Sequence, residues 1–256
     1  MQKYRTKKRF GQHFLHDHFV IQKIINEIHP LSSDCIVEIG PGLGALTFPL
    51  LEHLEKINVV EIDHDVINHL QKKNNPKLII HDQDALSFDF SKLENDQPLR
   101  VVGNLPYNIS TPLIFHLLEF SKKVQDMHFM LQNEVVQRIT AKPGNKSFGR
   151  LSVIVQYHCQ TEYLFFVAPE SFDPPPKVDS AILRLTPWKE RPFKAKSEKN
   201  LSTLVAQAFS MRRKTLRNNL KKVISGKQIE ALGIDPSSRS ETLNIEDFVK
   251  LSNLLP

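Results

Sequence analysis

The segment Glu38-Ile-Gly40-Pro-Gly42-Leu-Gly44 closes a short apolar run that begins at Cys35 and opens a stretch of helical periodicity, 45–54. Three glycines so placed turn the backbone tightly and let a ligand approach where a Cβ would clash. The helix that follows offers unpaired N–H groups to a carboxylate or phosphate. A buried strand, a glycine turn and a helix make half of a βαβ unit, and the rest of the pattern repeats it. Strands are predicted at 57–62, 78–81 and 99–102, with helices at 64–73 and 112–120 between or after them. A helix over 17–29 precedes them all. Alternation at these lengths predicts α/β architecture with a parallel, doubly wound sheet. After residue 124 the pattern turns towards strand, at 127–131, 151–157, 163–167 and 180–185, which predicts antiparallel edges on that sheet.

From 187 to 197 the chain is charged and broken by proline, and beyond it four short helices are predicted at 201–209, 216–224, 228–232 and 245–251. Two domains follow: residues 1–188, with a basic arm at 1–9, and a small all-helical domain at 189–256. Charge divides the same way. The arm carries five Lys/Arg and no acid, residues 10–188 carry 15 against 21 Asp/Glu, and residues 189–256 carry 14 against 7. A mildly acidic body between two basic ends suits an enzyme that binds a polyanion. Cys35 and Cys159 lack ligand spacing and lie in apolar runs, so reduced core thiols are expected, in a cytoplasmic protein. No apolar run has the length of a membrane span and no signal peptide is present.

The spacing of the glycine loop selects a ligand class. A dinucleotide loop places its third glycine five residues after the first, whereas here the interval is four and Glu38 lies inside the motif. An acid there repels a pyrophosphate and attracts an ammonium. Glu61 stands 21 residues beyond Gly40, where a carboxylate meets ribose hydroxyls in such folds. Asp84, after the next strand, is placed to accept from an adenine amine. Amino-acid cation, ribose and adenine together describe S-adenosylmethionine. The E-x-G-x-G-x-G pattern resembles that of class I, Rossmann-like methyltransferases, with Glu38, Gly40, Gly42, Gly44, Glu61 and Asp84 as cofactor residues and no metal.

The strand at 99–102 leads into Asn104-Leu-Pro-Tyr107. Carbonyl oxygens of the Asn104 side chain and the Leu105 main chain can accept from both hydrogens of an exocyclic amine, which localises the nitrogen lone pair. Pro106 fixes the turn, and Tyr107 can stack on the base. The tetrapeptide resembles the N/D-P-P-Y/F/W signature of amino-methyltransferases, in the form found in ribosomal RNA adenine dimethylases. Lys8-Arg-Phe-Gly-Gln-His-Phe-Leu15, the run 103–112 and Phe172-Asp-Pro-Pro-Pro-Lys-Val-Asp-Ser180 agree with that family from about residue 7 to the C-terminus.

The resemblance implies dimethylation at N6 of two adjacent adenosines near the 3′ end of 16S rRNA, within the 30S subunit or its precursor, by a monomer. It places Gln12, His13 and Leu15 beside the cofactor together with Asn104, although the family often has Asn at position 13. It makes Phe172 a second aromatic that sandwiches the target base with Tyr107. Leu105, where monomethylating relatives carry proline, is expected to leave room for a first methyl group. Arg212, Arg213, Lys214 and Arg217, on a helix start with Leu216 and Leu220 facing inward, are expected to meet rRNA phosphates. A 23S rRNA dimethylase of the antibiotic-resistance type and an assembly factor acting mainly by binding are the alternatives. A nicotinamide oxidoreductase is disfavoured by the glycine spacing and by the lack of a Tyr-x-x-x-Lys set.

Overall fold

The structure, a computed structural model, describes residues 12–93 and 97–256, so the basic arm at 1–9 lies outside the described residues. It divides into two compact units, Met1–Val136 with Glu162–Pro187, and Gln137–Thr161 with Trp188–Pro256.

The first unit is built on strands β2 (Cys35–Ile39), β3 (Ile57–Glu61), β4 (Leu78–Asp82), β5 (Leu99–Asn104), β6 (Val124–Gln132), β7 (Cys159–Val167, whose first residues belong to the second unit) and β9 (Ser180–Pro187). They form one sheet in the order β4-β3-β2-β5-β6-β9-β7. The first five strands are parallel and β9 pairs antiparallel with β6. Strands β2 and β5 are buried almost throughout, as continuous apolar runs in a two-sided parallel sheet must be. Strand order leaves β2 in one direction towards β4, then restarts at β5 on the other side. The carboxyl ends of β2 and β5 therefore flank a topological switch point, where open α/β sheets bind ligands. A separate two-residue pairing joins β1 (Phe14–Leu15) to β8 (Phe172–Asp173).

Helix α1 (His18–Ile28) starts where Asp17 accepts from the Phe19 and Val20 amides, and buries Ile21, Ile24, Ile25 and Ile28. Its C-terminal carbonyls are held by Arg100 of β5, which donates to Ile28 O at 2.6 Å and pairs with Asp34 at 2.6 Å and Asp126 at 2.9 Å. Helix α2 is only Thr47–Leu51. Pro49 is tolerated there because first-turn N–H groups have no intrahelical acceptor. Helices α3 (His64–Gln71) and α4 (Ser110–Glu119) complete the crossovers, and α5 (Asn133–Thr140) leads out of the unit.

The second unit contains α6 (Arg150–His158), α7 (Glu198–Ala208), α8 (Leu216–Leu220), α9 (Gly226–Ala231) and α10 (Ile245–Ser252). The strand expected at 151–157 is thus the helix α6. Its β-branched, apolar run is buried on several sides, with Val153, Ile154, Val155 and Tyr157 inside, so alternation carried no directional signal. Residues 137–161, which the sequence places in the first domain, group with the C-terminal helices because α6 packs against α7 and α10. Both cysteines are buried thiols outside any disulfide, and burial pushes the Cys159 thiol up to about 12.

Candidate active site

A cavity of about 560 Å³ opens at the switch point. Its floor is the glycine turn. Gly40 and Gly42 hold φ of 66° and 54°, the left-handed region that disfavours a Cβ. A Cβ on Gly42 would also stand 3.0 Å from the Phe14 ring. Gly44 does not line the cavity; a Cβ there would fall 2.2 Å from the Phe48 ring, so this glycine serves packing of the turn on α2.

Two carboxylates face the space. Glu38 is buried at 2 % exposure, accepts from Thr47 Oγ1 at 2.6 Å, and has its pKa raised to about 7, chiefly by burial. Glu61, at the end of β3, accepts from the Ile62 and Asp63 amides at 2.8 Å each, yet burial still raises its pKa. Gln12, from the segment before β1, reaches Asp63 with its Nε2 at 2.9 Å. Asp63, itself 1 % exposed, also caps α3. Gln12, His13 and Leu15 all line the cavity.

Asn104, Leu105, Pro106 and Tyr107 form the opposite wall. Asn104 Nδ2 donates to the His13 carbonyl at 3.0 Å. Because a carbonyl can only accept, this bond fixes which end of the amide is oxygen and commits the nitrogen to the protein. Leu105 N–H donates to Met130 O at 3.2 Å and extends the β5–β6 ladder into the turn. Its side chain is buried. The Tyr107 hydroxyl shares a 2.7 Å hydrogen bond with Ser180 Oγ, and the Tyr107 ring lies against the His13 imidazole, 6.0 Å between centroids and 24° from parallel. His13 Nδ1 in turn donates to Pro174 O at 2.7 Å.

Some expected site residues are placed differently by the structure. Phe172 is 2 % exposed and packs in the hydrophobic core with Leu15, its β1 partner, so the ring facing Tyr107 is that of His13. Asp84 is exposed in the turn after β4, where its Oδ1 accepts from Leu86 N at 2.9 Å; it is not among the residues walling the cavity. Arg212, Arg213 and Lys214 are exposed in the turn before α8 rather than on a helix, and Arg217 alone lies on α8. Arg212 donates to Lys146 O and pairs with Glu241 at 3.8 Å. Sequence reasoning missed Thr47 and Ser180, and no local signal could have found Ser180, which is 73 residues from its tyrosine.

The arrangement fits a cationic amino acid joined to a nucleoside better than a phosphate, since two acids share the cavity. A flat amine substrate can enter beside Asn104 and Tyr107.

The model of the family described as "Ribosomal RNA adenine dimethylase" matches residues 3–256. A protein named "Ribosomal RNA small subunit methyltransferase A" from Hydrogenovibrio crunogenus is 56 % identical over 260 residues, covering 99 % of this chain and 98 % of its own. Its namesake from Coxiella burnetii is 55 % identical over 257 residues, 100 % of both chains. Among solved structures, a dimethyladenosine transferase from Plasmodium falciparum superposes with a TM-score of 0.81 at 28 % identity, over 93 % of this chain and 96 % of that one. The 23S rRNA methyltransferase ErmE, at 0.75 and 24 % identity over 94 % and 99 %, shares the fold.

Proposed function

The chain belongs to the ribosomal RNA adenine dimethylase family, and from that premise we propose that it methylates N6 of two adjacent adenosines near the 3′ end of 16S rRNA, each twice. The acceptor would be the 30S subunit or its precursor, and the enzyme would act in the cytoplasm as a monomer. When bound, S-adenosylmethionine supplies a methyl group on a positively charged sulfur. Gly40 and Gly42 give its amino-acid end close access to the backbone. Glu38 and Glu61 meet its cationic and hydroxyl groups, and the segment Gln12–Leu15 covers it. Asp84 and Gly44 flank this site without lining it.

The observation carrying the proposal is the fixed amide of Asn104. With its nitrogen held by the His13 carbonyl, its oxygen accepts from the adenosine amine, and the Leu105 carbonyl takes the second hydrogen. Delocalisation into the ring is thereby opposed and the nitrogen lone pair is aimed at the methyl. Tyr107 stacks on the base with one face of its ring, the other face being backed by His13. No general base is required, because the methylated ammonium sheds its proton to water. Arg212, Arg213, Lys214 and Arg217 contact rRNA phosphates and set register.

The test is incubation of under-methylated 30S particles with labelled S-adenosylmethionine, followed by mapping of the modified nucleotides. Two adjacent dimethyladenosines in 16S rRNA are expected; absence of dimethyladenosine, or its appearance only in the 23S rRNA of 50S particles assayed in parallel, refutes the reading. Asn104→Ala is expected to abolish transfer while leaving particle binding, which separates catalysis from an assembly role.

A further inference from the structure

The second unit has a cavity of its own, about 320 Å³, near the lower end of the ~300–1,000 Å³ typical of small-ligand sites. Trp188, Pro192, Phe193 and Ile245 make its apolar wall, and Gln160 and Thr161 supply donors and acceptors at its edge. The indole is held at two points. Its Nε1 donates to Gln156 O at 3.1 Å, and the Trp188 amide donates to His158 O at 3.0 Å. With the indole N–H and the Trp188 backbone both anchored, the half-buried ring is a fixed platform rather than a mobile surface group. Behind it, Tyr157 is stacked by Arg191 at 4.9 Å, and Arg191 is committed to Glu198 and His158.

The same stretch that delivers Trp188 and Phe193 carries Lys189, Lys194 and Lys196, all exposed, against one acid, Glu190. An aromatic-walled cavity with amide and hydroxyl groups in its lining, on a segment that also carries three exposed lysines, matches the chemistry of one unpaired base and its phosphate. Aromatic faces stack any base, while lysines track the backbone. An apolar peptide would make no use of the three lysines.

We propose that this cavity receives an unpaired nucleobase of the RNA substrate, additional to the reacting adenosine, with the adjoining phosphate on Lys189, Lys194 and Lys196. The inference rests on the rRNA reading above for the identity of its ligand.

Trp188 is the sole tryptophan of the chain, so its fluorescence reports this cavity directly. Single-stranded oligoadenylate titrated into the wild-type protein is expected to quench it saturably, adenosine monophosphate more weakly, and inorganic phosphate not at all. Phe193→Ala is expected to weaken the oligonucleotide about tenfold. Lys189→Glu with Lys194→Glu is expected to weaken it and to reduce its salt dependence. Absence of saturable quenching overturns the proposal. So does equal quenching by an oligoglutamate peptide, a spectral change driven only by protein concentration (a second copy), or displacement of the oligonucleotide by S-adenosylmethionine. Dimethylation of 30S particles, run in parallel, separates the two readings. Activity without quenching refutes the cavity alone, and quenching by RNA without dimethyladenosine refutes the catalytic reading alone.

Discussion

Glu38 shows how one buried side chain links pH to ligand binding. Burial raises its pKa to about 7, and a cationic ligand interacts best with the ionised form. Affinity for S-adenosylmethionine is therefore expected to rise between pH 6 and pH 8, by up to about tenfold per unit below the pKa. Titration calorimetry across that range checks it, and Glu38→Gln should bind more weakly with a flat profile. Folding has the opposite sign. A carboxyl with a raised pKa favours the folded state below its unfolded pKa of 4.5, and that contribution is lost as pH rises through about 7. Ser180 makes a second case, because its 2.7 Å bond is what orients the Tyr107 phenol. Ser180→Ala is expected to raise KM for the particle several-fold while leaving cofactor affinity unchanged. Ser180→Thr should restore the bond, and Ser180→Ala should add nothing in a Tyr107→Phe background. Asn104 and Tyr107 were legible in sequence because the chemistry sits within four residues. Ser180 was not, since its partner is chosen by the pairing of β9 beside β6.

Strand β5 carries the acceptor turn, and its position against β2 depends on Gly103. A Cβ there would stand 2.6 Å from Ile39 O, a backbone atom that cannot yield without moving β2. Gly103→Ala is expected to cost about 1–3 kcal/mol by overpacking, read from urea unfolding, and to lower methyl transfer by displacing Asn104. Elements of the sheet were readable from their apolar runs and from the glycine that ends β2. Helix α6 looks like a strand in sequence because burial on several sides removes the polar face that would show a period of 3.6. The arginine-rich turn before α8 is equally hard to tell from a helix in sequence, since basic residues fit a solvated turn as readily as a solvated helical face.

Across the whole molecule, each unit contains a neutral histidine bonded to an arginine, fully buried in the first unit and part-buried in the second. His128 accepts from Arg184 Nε at 2.9 Å in the first unit, and His158 bonds Arg191 Nη2 at 3.1 Å in the second. Burial lowers both pKa values to about 4. A depressed folded pKa contributes stability that is present above the unfolded value of 6.5 and is lost as pH falls through about 4. Unfolding midpoints in urea are expected to drop steadily between pH 6.5 and pH 4, and His128→Gln should flatten part of that slope. For His128, 3 % exposed, the contribution is of order 3 kcal/mol. Taken alone, the sequence determined the doubly wound class, the glycine turn and the Asn104–Tyr107 turn at the end of β5, because each is written in contiguous residues whose backbone demands are local. Only the tertiary structure decided that His13 rather than Phe172 faces Tyr107, that Gly44 packs on α2 instead of lining the cavity, and that residues 137–161 join the helical unit. Those outcomes turn on which side chains the folded chain brings within contact distance across tens of residues, and no local pattern encodes that distance.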